Sequence, residues 1–170
     1  MRHVRDRDGT VWAMRSAEAD DLDALLAIER EVFADPWSRT SMEDALAPTS
    51  VVQTHVMASE GTGEVVAFLM ARDIIDAWEV INIAVRPAFR RRGLGRALMT
   101  GALEAAARRG CTTWLLEVRE GNTAARALYR QLGYVDVGRR PDYYRHPTED
   151  AILMTGRPPL PWIDHPTGTP

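Results

Sequence analysis

The sequence predicts an α/β (α+β) fold in which about seven strands form a mixed, mostly antiparallel sheet flanked by helices on both faces. The first observation behind this prediction is the element order: strand, two helices, three strands, helix, strand, helix and two strands. The second is a single helix that joins the predicted strands at 80–85 and 112–118. Because a helical crossover makes the strands it connects parallel, we expect one parallel pair in the middle of the sheet.

Apolar spacing and capping residues define the elements in the first half of the chain. Residues 1–9 are polar and charged, so we expect them to be loose. Ser38 follows the helix breaker Pro36 and can cap a short helix. The segment 61–63 (Gly-Thr-Gly) is typical of a hairpin turn between two strands. The predicted elements are a strand over 10–15, a helix that starts at Asp20 or Asp21, a helix from Ser38 to about Leu46, and strands over 51–58 and 64–75.

Turn residues separate the elements in the second half. Pro87 ends the β-branched run at 80–85, because proline cannot donate to a strand ladder. The segment 108–110 (Arg-Arg-Gly) ends the helix that begins near Leu94, and Gly133 ends the next helix. The predicted elements are strands over 80–85 and 112–118, helices over 94–108 and 122–132, strands over 134–138 and 149–155, and a loop over 141–147.

Length and composition are those of an ordinary globular protein. The 170 residues are enough for one domain with a substantial core, and 45% of them are hydrophobic and 26% charged. Five prolines and little periodicity mark the last residues. We therefore expect one domain over 1–155 and a proline-rich tail over 156–170.

Charge and cysteine content argue against several classes of function. The chain has 21 basic and 24 acidic residues and a net charge of −3, which argues against non-specific nucleic-acid binding, and we expect no direct sequence-specific contact with nucleic acid. Cys111 is the only cysteine, and His55 and His146 are isolated, so we expect neither a disulfide framework nor a bound metal. No apolar run approaches the roughly 18 residues of a membrane span. We expect a cytoplasmic protein that does not bind membranes and is a monomer or a weak dimer.

A basic, glycine-containing loop between a strand and a helix carries the strongest functional signal. Gly93 and Gly95 allow the backbone to approach a ligand closely, and the helix that follows leaves its first N–H groups unpaired. A solvated run of charges is the usual interpretation of clustered arginines, but a helix N-terminus beside two glycines favours an anion such as a pyrophosphate. The basic residues concerned are Arg90, Arg91, Arg92 and Arg96.

The loop over 90–95 matches the pattern Arg/Gln-x-x-Gly-x-Gly/Ala, and in this context the chain resembles the GNAT acetyltransferase superfamily. The flanking segments resemble the RimI branch, the ribosomal-protein-alanine N-acetyltransferases, from about residue 12 to 155. These segments are 36–38 (Pro-Trp-Ser), 82–85 (Asn-Ile-Ala-Val), 116–119 (Leu-Glu-Val-Arg), 122–125 (Asn-Thr-Ala-Ala), 127–129 (Ala-Leu-Tyr), 132–134 (Leu-Gly-Tyr), 139–140 (Arg-Arg), 143–144 (Tyr-Tyr) and 149–154 (Glu-Asp-Ala-Ile-Leu-Met).

The resemblance implies a GNAT-type sheet whose central parallel strands splay apart, with acetyl-CoA as the acyl donor. Backbone groups exposed by the splay would bind the pantetheine arm as an added strand does. Asn122 is either a helix N-cap, a contact to the donor, or both. The donor-binding residues expected on this basis are Ile83, Ala84, Val85, Arg90, Arg91, Arg92, Gly93, Leu94, Gly95, Arg96 and Asn122.

The RimI resemblance also implies that Glu117 is the general base and Tyr129 the general acid of acetyl transfer. A tyrosine with a pKa of about 10 stays protonated at neutral pH and can donate to a thiolate whose pKa is about 8.5. Glu117 would need a raised pKa or a relaying water to act as a base. The competing interpretations are a solvent-facing strand glutamate and a tyrosine that packs in the core.

In the family, loops line a groove for the incoming peptide, so the resemblance implies that four further residues contact the substrate. Glu79 would pair with the ammonium group, although Trp37 is as readily explained as a core residue. The set is Trp37, Glu79, Tyr143 and Tyr144.

The function that the resemblance implies is acetylation of a protein N-terminal α-amine, in particular the N-terminal alanine of a small-subunit ribosomal protein. One alternative is acetylation of a polyamine, an aminoglycoside or protein lysines. A third possibility is a non-catalytic acyl-CoA-binding module on the same fold.

Overall fold

A computed structural model describes residues 1–157, so the predicted tail lies outside the described residues from position 158 onward. The strands are β1 (Arg2–Arg5), β2 (Val11–Ser16), β3 (Val52–Ser59), β4 (Val65–Ile74), β5 (Ala77–Val85), β6 (Thr113–Arg119), β7 (Val135–Tyr144) and β8 (Glu149–Gly156). The helices are α1 (Leu22–Val32), α2 (Arg39–Leu46), α3 (Leu94–Arg108) and α4 (Thr123–Gln131), with short 3₁₀ turns at Ala19–Asp21 and Pro87–Phe89.

The strands form one sheet in the order β1-β2-β3-β4-β5-β6-β8-β7. Every neighbouring pair is antiparallel except β5 and β6, which α3 connects as a parallel crossover. The predicted fold class is therefore confirmed, and β1 adds an eighth strand at the edge of the sheet. None of the helices within residues 1–157 is long and apolar enough to span a membrane.

The parallel pair separates halfway along β5. Its register runs from Ala77 opposite Thr113 to Val80 opposite Leu116 and then stops. A register shift in the pairing with β4 places a bulge at Ile81, and β6 continues only against β8. Bulges bend a strand and end local pairing, so β5 and β6 splay apart from this point.

Helices cover both faces of the sheet and bury two separate cores. On one face, the indole rings of Trp78 and Trp114 pack in the core that includes residues of α3 and α4. On the other face, Leu25 and Phe68 belong to the core formed with α1 and α2. Successive side chains of β5 face the two cores in turn. The free backbone edge of this strand therefore lies between the two cores.

The prediction that residues 1–9 are loose is wrong, because β1 pairs with β2 in this segment. Burial of one carboxylate holds the connecting turn. Asp6 is 7% exposed and accepts hydrogen bonds from Trp12 Nε1 at 2.8 Å and from the backbone N–H groups of Thr10 at 2.9 Å and Asp8 at 3.0 Å. The polar composition of residues 1–9 predicted that they are exposed to solvent. The Asp6 carboxylate is instead buried, and its hydrogen bonds are satisfied by protein donors.

β7 also extends further than predicted, because part of the segment 141–147 joins the strand as far as Tyr144. Pro141 and Asp142 occupy a bulge where the pairing with β8 shifts register. An edge strand tolerates proline at a bulge since no ladder hydrogen bond is lost there. The Asp150 carboxylate accepts a hydrogen bond from the backbone N–H of Asp142 at 2.9 Å and so fixes the bulge.

We predict that Asp6→Asn lowers the free energy of unfolding by about 1–3 kcal/mol at neutral pH, because the amide cannot satisfy three buried donors. Burial raises the pKa of Asp6, but the hydrogen bonds from Trp12, Thr10 and Asp8 outweigh it and hold the pKa below 3.8. Because the pKa of Asp6 is lower in the folded protein, its carboxylate stabilises the fold at pH values above 3.8. This stabilisation is lost as the pH falls through the pKa of the folded state. The difference in unfolding free energy between the wild type and Asp6→Asn, measured by urea unfolding, should therefore be smaller at about pH 3 than at neutral pH.

The matched control is Asp8→Asn, whose exposed carboxylate has only Arg92 Nη1 at 3.3 Å. A surface pair of this kind is worth less than about 1 kcal/mol. If Asp6→Asn is as stable as the wild type at neutral pH, the buried carboxylate does not have this structural role.

Candidate active site

A cavity of about 910 Å³ opens beside the second half of β5. The end of α1 and the turn after it form one wall, and α4 with the β7–β8 loop forms the other. The basic loop and the first turn of α3 close one end. The lining residues are Arg7, Glu29, residues 32–35, Trp37, residues 81–85, Phe89, Arg90, Arg91, residues 93–96, Arg119, Asn122, Ala124, Ala125, Leu128, Tyr129, Tyr144, His146, Pro147 and Glu149.

The structure brings most of the predicted site residues to this cavity. Four of them lie outside its lining: Arg92, Glu79, Glu117 and Tyr143. The last three share the sheet face that α1 covers only over β4 and β5, so they lie in a groove next to the cavity.

The backbone of β5 from Ile81 to Val85 forms the floor of the cavity. β4 pairs with one edge of this segment, and the other edge has no strand partner after Val80. The Ala84 side chain packs in one core, whereas Ile83 and Val85 pack against the other. The free edge therefore offers backbone donors and acceptors to an extended ligand.

The basic loop reaches the first turn of α3 through two residues with left-handed backbone. Arg91 has a φ of 66° and Gly93, the residue before α3, has a φ of 94°. No side chain caps Gly93, so the first N–H groups of α3 point out of the helix with its positive end. A Cβ at Gly95 would meet only Val85 and Leu128, at 3.6 and 3.9 Å.

The arginines of the loop take two different directions. Arg90, Arg91 and Arg96 line the cavity. Arg90 Nε donates to the Val85 carbonyl at 3.1 Å, and Arg96 donates to Gln131 Oε1. The Arg92 guanidinium lies 3.3 Å from the Asp8 carboxylate and over the Phe89 ring, away from the lining.

α4 places Asn122 and Tyr129 on the cavity wall. Asn122 is the N-cap, and its side-chain oxygen accepts from the Ala125 backbone N–H at 3.2 Å. Tyr129 is 5% exposed, and burial raises its pKa well above the ordinary value. This hydroxyl is therefore protonated at neutral pH and lines the cavity as a donor.

Glu117 lies on β6 and projects to the side opposite Leu116 and Val118, which are buried under α3 and α4. Arg140 Nη2 lies 3.1 Å from the Glu117 carboxylate. A hydrogen bond to the same carboxylate raises the pKa of Tyr143. Both partners come from β7, so two side chains of this strand reach across β8 to Glu117.

Glu79 and Tyr144 flank Glu117 in the groove. Glu79 lies opposite Leu115 in the parallel register, on the same face as Glu117, and accepts a hydrogen bond from Arg72 Nε at 2.7 Å. Burial, followed by the charge of Glu117, raises the pKa of Tyr144 to about 12.

The Tyr144 ring centre lies 5.1 Å from that of Tyr143, so these two tyrosines join the groove to the cavity.

Glu29 is a site residue that our sequence analysis missed. Its side chain is completely buried in the cavity wall and accepts hydrogen bonds from the Trp37 backbone and the Asn82 amide. The signal was present, because Glu29 follows Leu22, Leu25 and Leu26 at helical spacing on the apolar stripe of α1.

The chain is similar in sequence to one protein family and to individual proteins of known name. Residues 22–134 match the model of the Acetyltransferase (GNAT) family. The chain is 38% identical over 143 residues to ribosomal protein bS18-alanine N-acetyltransferase of Escherichia coli K12, covering 82% of this chain and 93% of that protein. It is 34% identical over 151 residues to N-alpha-acetyltransferase RimI of Mycobacterium tuberculosis, covering 85% of this chain and 90% of that protein.

The fold agrees with a solved structure as well. The crystal structure of the ribosomal-protein-S18-alanine N-acetyltransferase from Escherichia coli superimposes with a TM-score of 0.79 at 34% identity, covering 86% of this chain and 93% of that one. Within residues 1–157 of the present structure, no group of three metal-ligating side chains comes together.

Proposed function

The chain belongs to the acetyltransferase (GNAT) family, and from this premise we propose that it transfers acetyl from acetyl-CoA to the N-terminal alanine of ribosomal protein bS18. The observation that carries the proposal is the 38% identity to the Escherichia coli enzyme over 93% of that enzyme's length. We further propose that the protein acts in the cytoplasm, where a ribosomal protein is made, as a monomer or a weak dimer.

Acetyl-CoA is the acyl donor of the GNAT family, and the cavity fits it. The first turn of α3 and the arginines that line the cavity suit the pyrophosphate, because helix N-termini and guanidinium groups both favour phosphate oxygens. The free edge of β5 suits the amide-bearing pantetheine arm. Gly95 leaves room for phosphate to approach the backbone. We propose that residues 83–85, Arg90, Arg91, residues 93–96 and Asn122 bind the donor.

The groove beside the cavity fits a peptide N-terminus. We propose that Trp37, Glu79, Tyr143 and Tyr144 contact the incoming peptide and that its amine approaches Glu117. An α-amine and a lysine have pKa values of about 7.9 and about 10.4, so the neutral α-amine is easier to form by roughly 3.4 kcal/mol at neutral pH. A modest base is sufficient for an α-amine, which supports N-terminal over lysine acetylation.

In the proposed reaction the neutral amine nitrogen attacks the thioester carbonyl carbon and the carbon–sulfur bond breaks. The amine proton passes to Glu117, directly or through a water, and the thiolate takes a proton from the Tyr129 hydroxyl. Burial raises the pKa of Tyr129, so its hydroxyl is protonated at neutral pH but is a weaker acid than an exposed tyrosine, and the proton taken up by Glu117 afterwards returns to Tyr129 through solvent. Acetylated peptide and free CoA leave the site.

The described groove gives little support to a polycationic small-molecule substrate. A polyamine site needs several unpaired carboxylates, but Arg72 pairs with Glu79 and Arg140 pairs with Glu117. Greater activity on spermidine than on an alanine-starting peptide would favour that alternative. Donor binding without turnover of any amine would favour a non-catalytic module.

We predict that Glu117→Gln and Tyr129→Phe each lower kcat by roughly 100-fold or more on an alanine-starting hexapeptide, with donor affinity retained. The first change removes the proton acceptor, and the second removes the proton donor. Thiol release from acetyl-CoA measures the rate, and mass spectrometry of the product locates the acetyl group. Modification of lysine side chains alone would refute the α-amine assignment.

Each variant has a matched control in the same region. Tyr134→Phe removes the hydroxyl of a buried tyrosine whose ring centre lies 6.0 Å from that of Tyr129. Glu120→Gln changes an exposed glutamate that pairs with Arg139. Both controls should keep wild-type kcat, and a wild-type rate for Glu117→Gln would remove Glu117 from the mechanism.

For the donor site, we predict that Arg91→Ala and Arg96→Ala each weaken acetyl-CoA binding by roughly tenfold or more, because each removes a charge-assisted contact to phosphate. Arg92→Ala should change the dissociation constant far less, since its guanidinium is directed to Asp8 and Phe89. Isothermal titration with acetyl-CoA distinguishes the two groups. Equal effects at Arg92 and Arg96 would contradict this division of the arginines.

A further inference from the structure

Glu29 is a buried carboxylate that the proposed chemistry does not use. Its side chain is 0% exposed, and burial raises its pKa even though two hydrogen bonds oppose the shift. Within residues 1–157 it forms no ion pair. An unpaired buried charge destabilises a fold, so a leucine on this stripe of α1 would serve packing better. Such departures from local rules are expected at functional sites.

The two donors to this carboxylate come from opposite parts of the cavity. Trp37 donates its backbone N–H to Oε2 at 3.0 Å, and it belongs to the turn between α1 and α2. Asn82 donates its side-chain amide to Oε1, and it follows the bulge at which β5 leaves β6. All three residues line the cavity. Glu29 therefore joins the wall on the peptide side to the strand that forms the floor.

From this geometry we infer that Glu29 is a positioning residue, whose carboxylate sets the α1–α2 turn and the free edge of β5 at the spacing that acetyl transfer requires. The inference rests on the proposed function, because it assigns the turn to the peptide and β5 to the acyl donor. A misplacement of about 1 Å between two reactants can cost about 100-fold in rate. Glu29 does not contact the reacting atoms in this assignment.

A carboxylate suits this role better than an amide. Its two oxygens accept from both donors at once, whereas glutamine offers one acceptor oxygen and an NH₂ group. In Glu29→Gln the new oxygen accepts from the Trp37 N–H and the new NH₂ group faces Asn82, whose carboxamide keeps the attachment only by turning over to present its oxygen. Asn82→Asp removes the attachment outright, because two acceptors then face each other.

Exchanging the two side-chain types restores a complete set of hydrogen bonds with reversed polarity. In the double variant Glu29→Gln/Asn82→Asp, the amide at position 29 accepts from the Trp37 N–H and donates to the carboxylate at position 82. The negative charge moves from α1 to β5, while both attachments remain. This double variant separates positioning from a requirement for charge at position 29.

The experiment compares the wild type, the two single variants, the double variant and a control, Glu31→Gln. Glu31 lies on the same helix as Glu29 and pairs with Arg86. Acetyl-CoA affinity and the melting temperature are measured first, and kcat and KM are then measured on the alanine-starting hexapeptide. We expect Asn82→Asp to lose about tenfold or more in kcat/KM with donor affinity changed less than about threefold, Glu29→Gln to lose less, and the double variant to recover to within about threefold of wild type. Glu31→Gln should match the wild type.

Two outcomes would overturn the inference. Wild-type kinetics in Asn82→Asp would show that the attachment does not matter, and no recovery in the double variant would show that the charge itself is needed at position 29. If the wild type does not acetylate the hexapeptide, the proposed substrate is wrong. The same four-variant cycle is then measured with the amine that the wild type does accept, which tests the positioning role separately.

Discussion

Backbone pairing between β5 and β6 runs from Ala77 only as far as Val80, and a bulge at Ile81 follows. Backbone donors and acceptors in a protein interior must find partners. The free edge of β5 beyond the bulge is therefore left for solvent or for an extended ligand with alternating polar groups. The cavity exists because this one ladder ends, and the helices on either face then supply its walls. α3 crosses over from β5 to β6, so its N-terminus necessarily lies at the end of the same edge.

The distribution of charge around that edge separates two tasks. Among the described residues, Arg90, Arg91 and Arg96 at the basic end have no carboxylate within ion-pair distance, whereas Arg92 is engaged by Asp8. In the groove each carboxylate has its own arginine. The site is thus strongly positive where a polyanionic donor would enter and close to neutral where an amine would approach. This asymmetry agrees with a single peptide amine better than with a polycation.

The sequence predicted the sheet, the crossover and the basic loop because they depend on local periodicity, proline, glycine and capping residues. Its errors share a different cause, which is long-range satisfaction of polar groups. The Asp6 carboxylate orders a segment that composition marked as loose, and Asp150 draws the predicted loop after Pro141 into β7. Glu29 lay on a recognisable apolar stripe, but its partners are more than fifty residues away or in a turn. Motif spacing also grouped Arg92 with the other arginines, although its direction depends on the unpredicted β1–β2 turn.

The proposed base and the proposed acid lie on different elements. Glu117 projects from β6 into the groove, whereas Tyr129 faces the cavity from α4. Tyr144 lines the cavity, and burial together with the charge of Glu117 raises its pKa to about 12. It therefore stays neutral at physiological pH, and its hydroxyl can orient water or a peptide carbonyl without competing for the transferred proton. Arg140 lies at the Glu117 carboxylate that the proposed peptide amine approaches, so binding of the peptide in this way requires the Arg140 side chain to move aside.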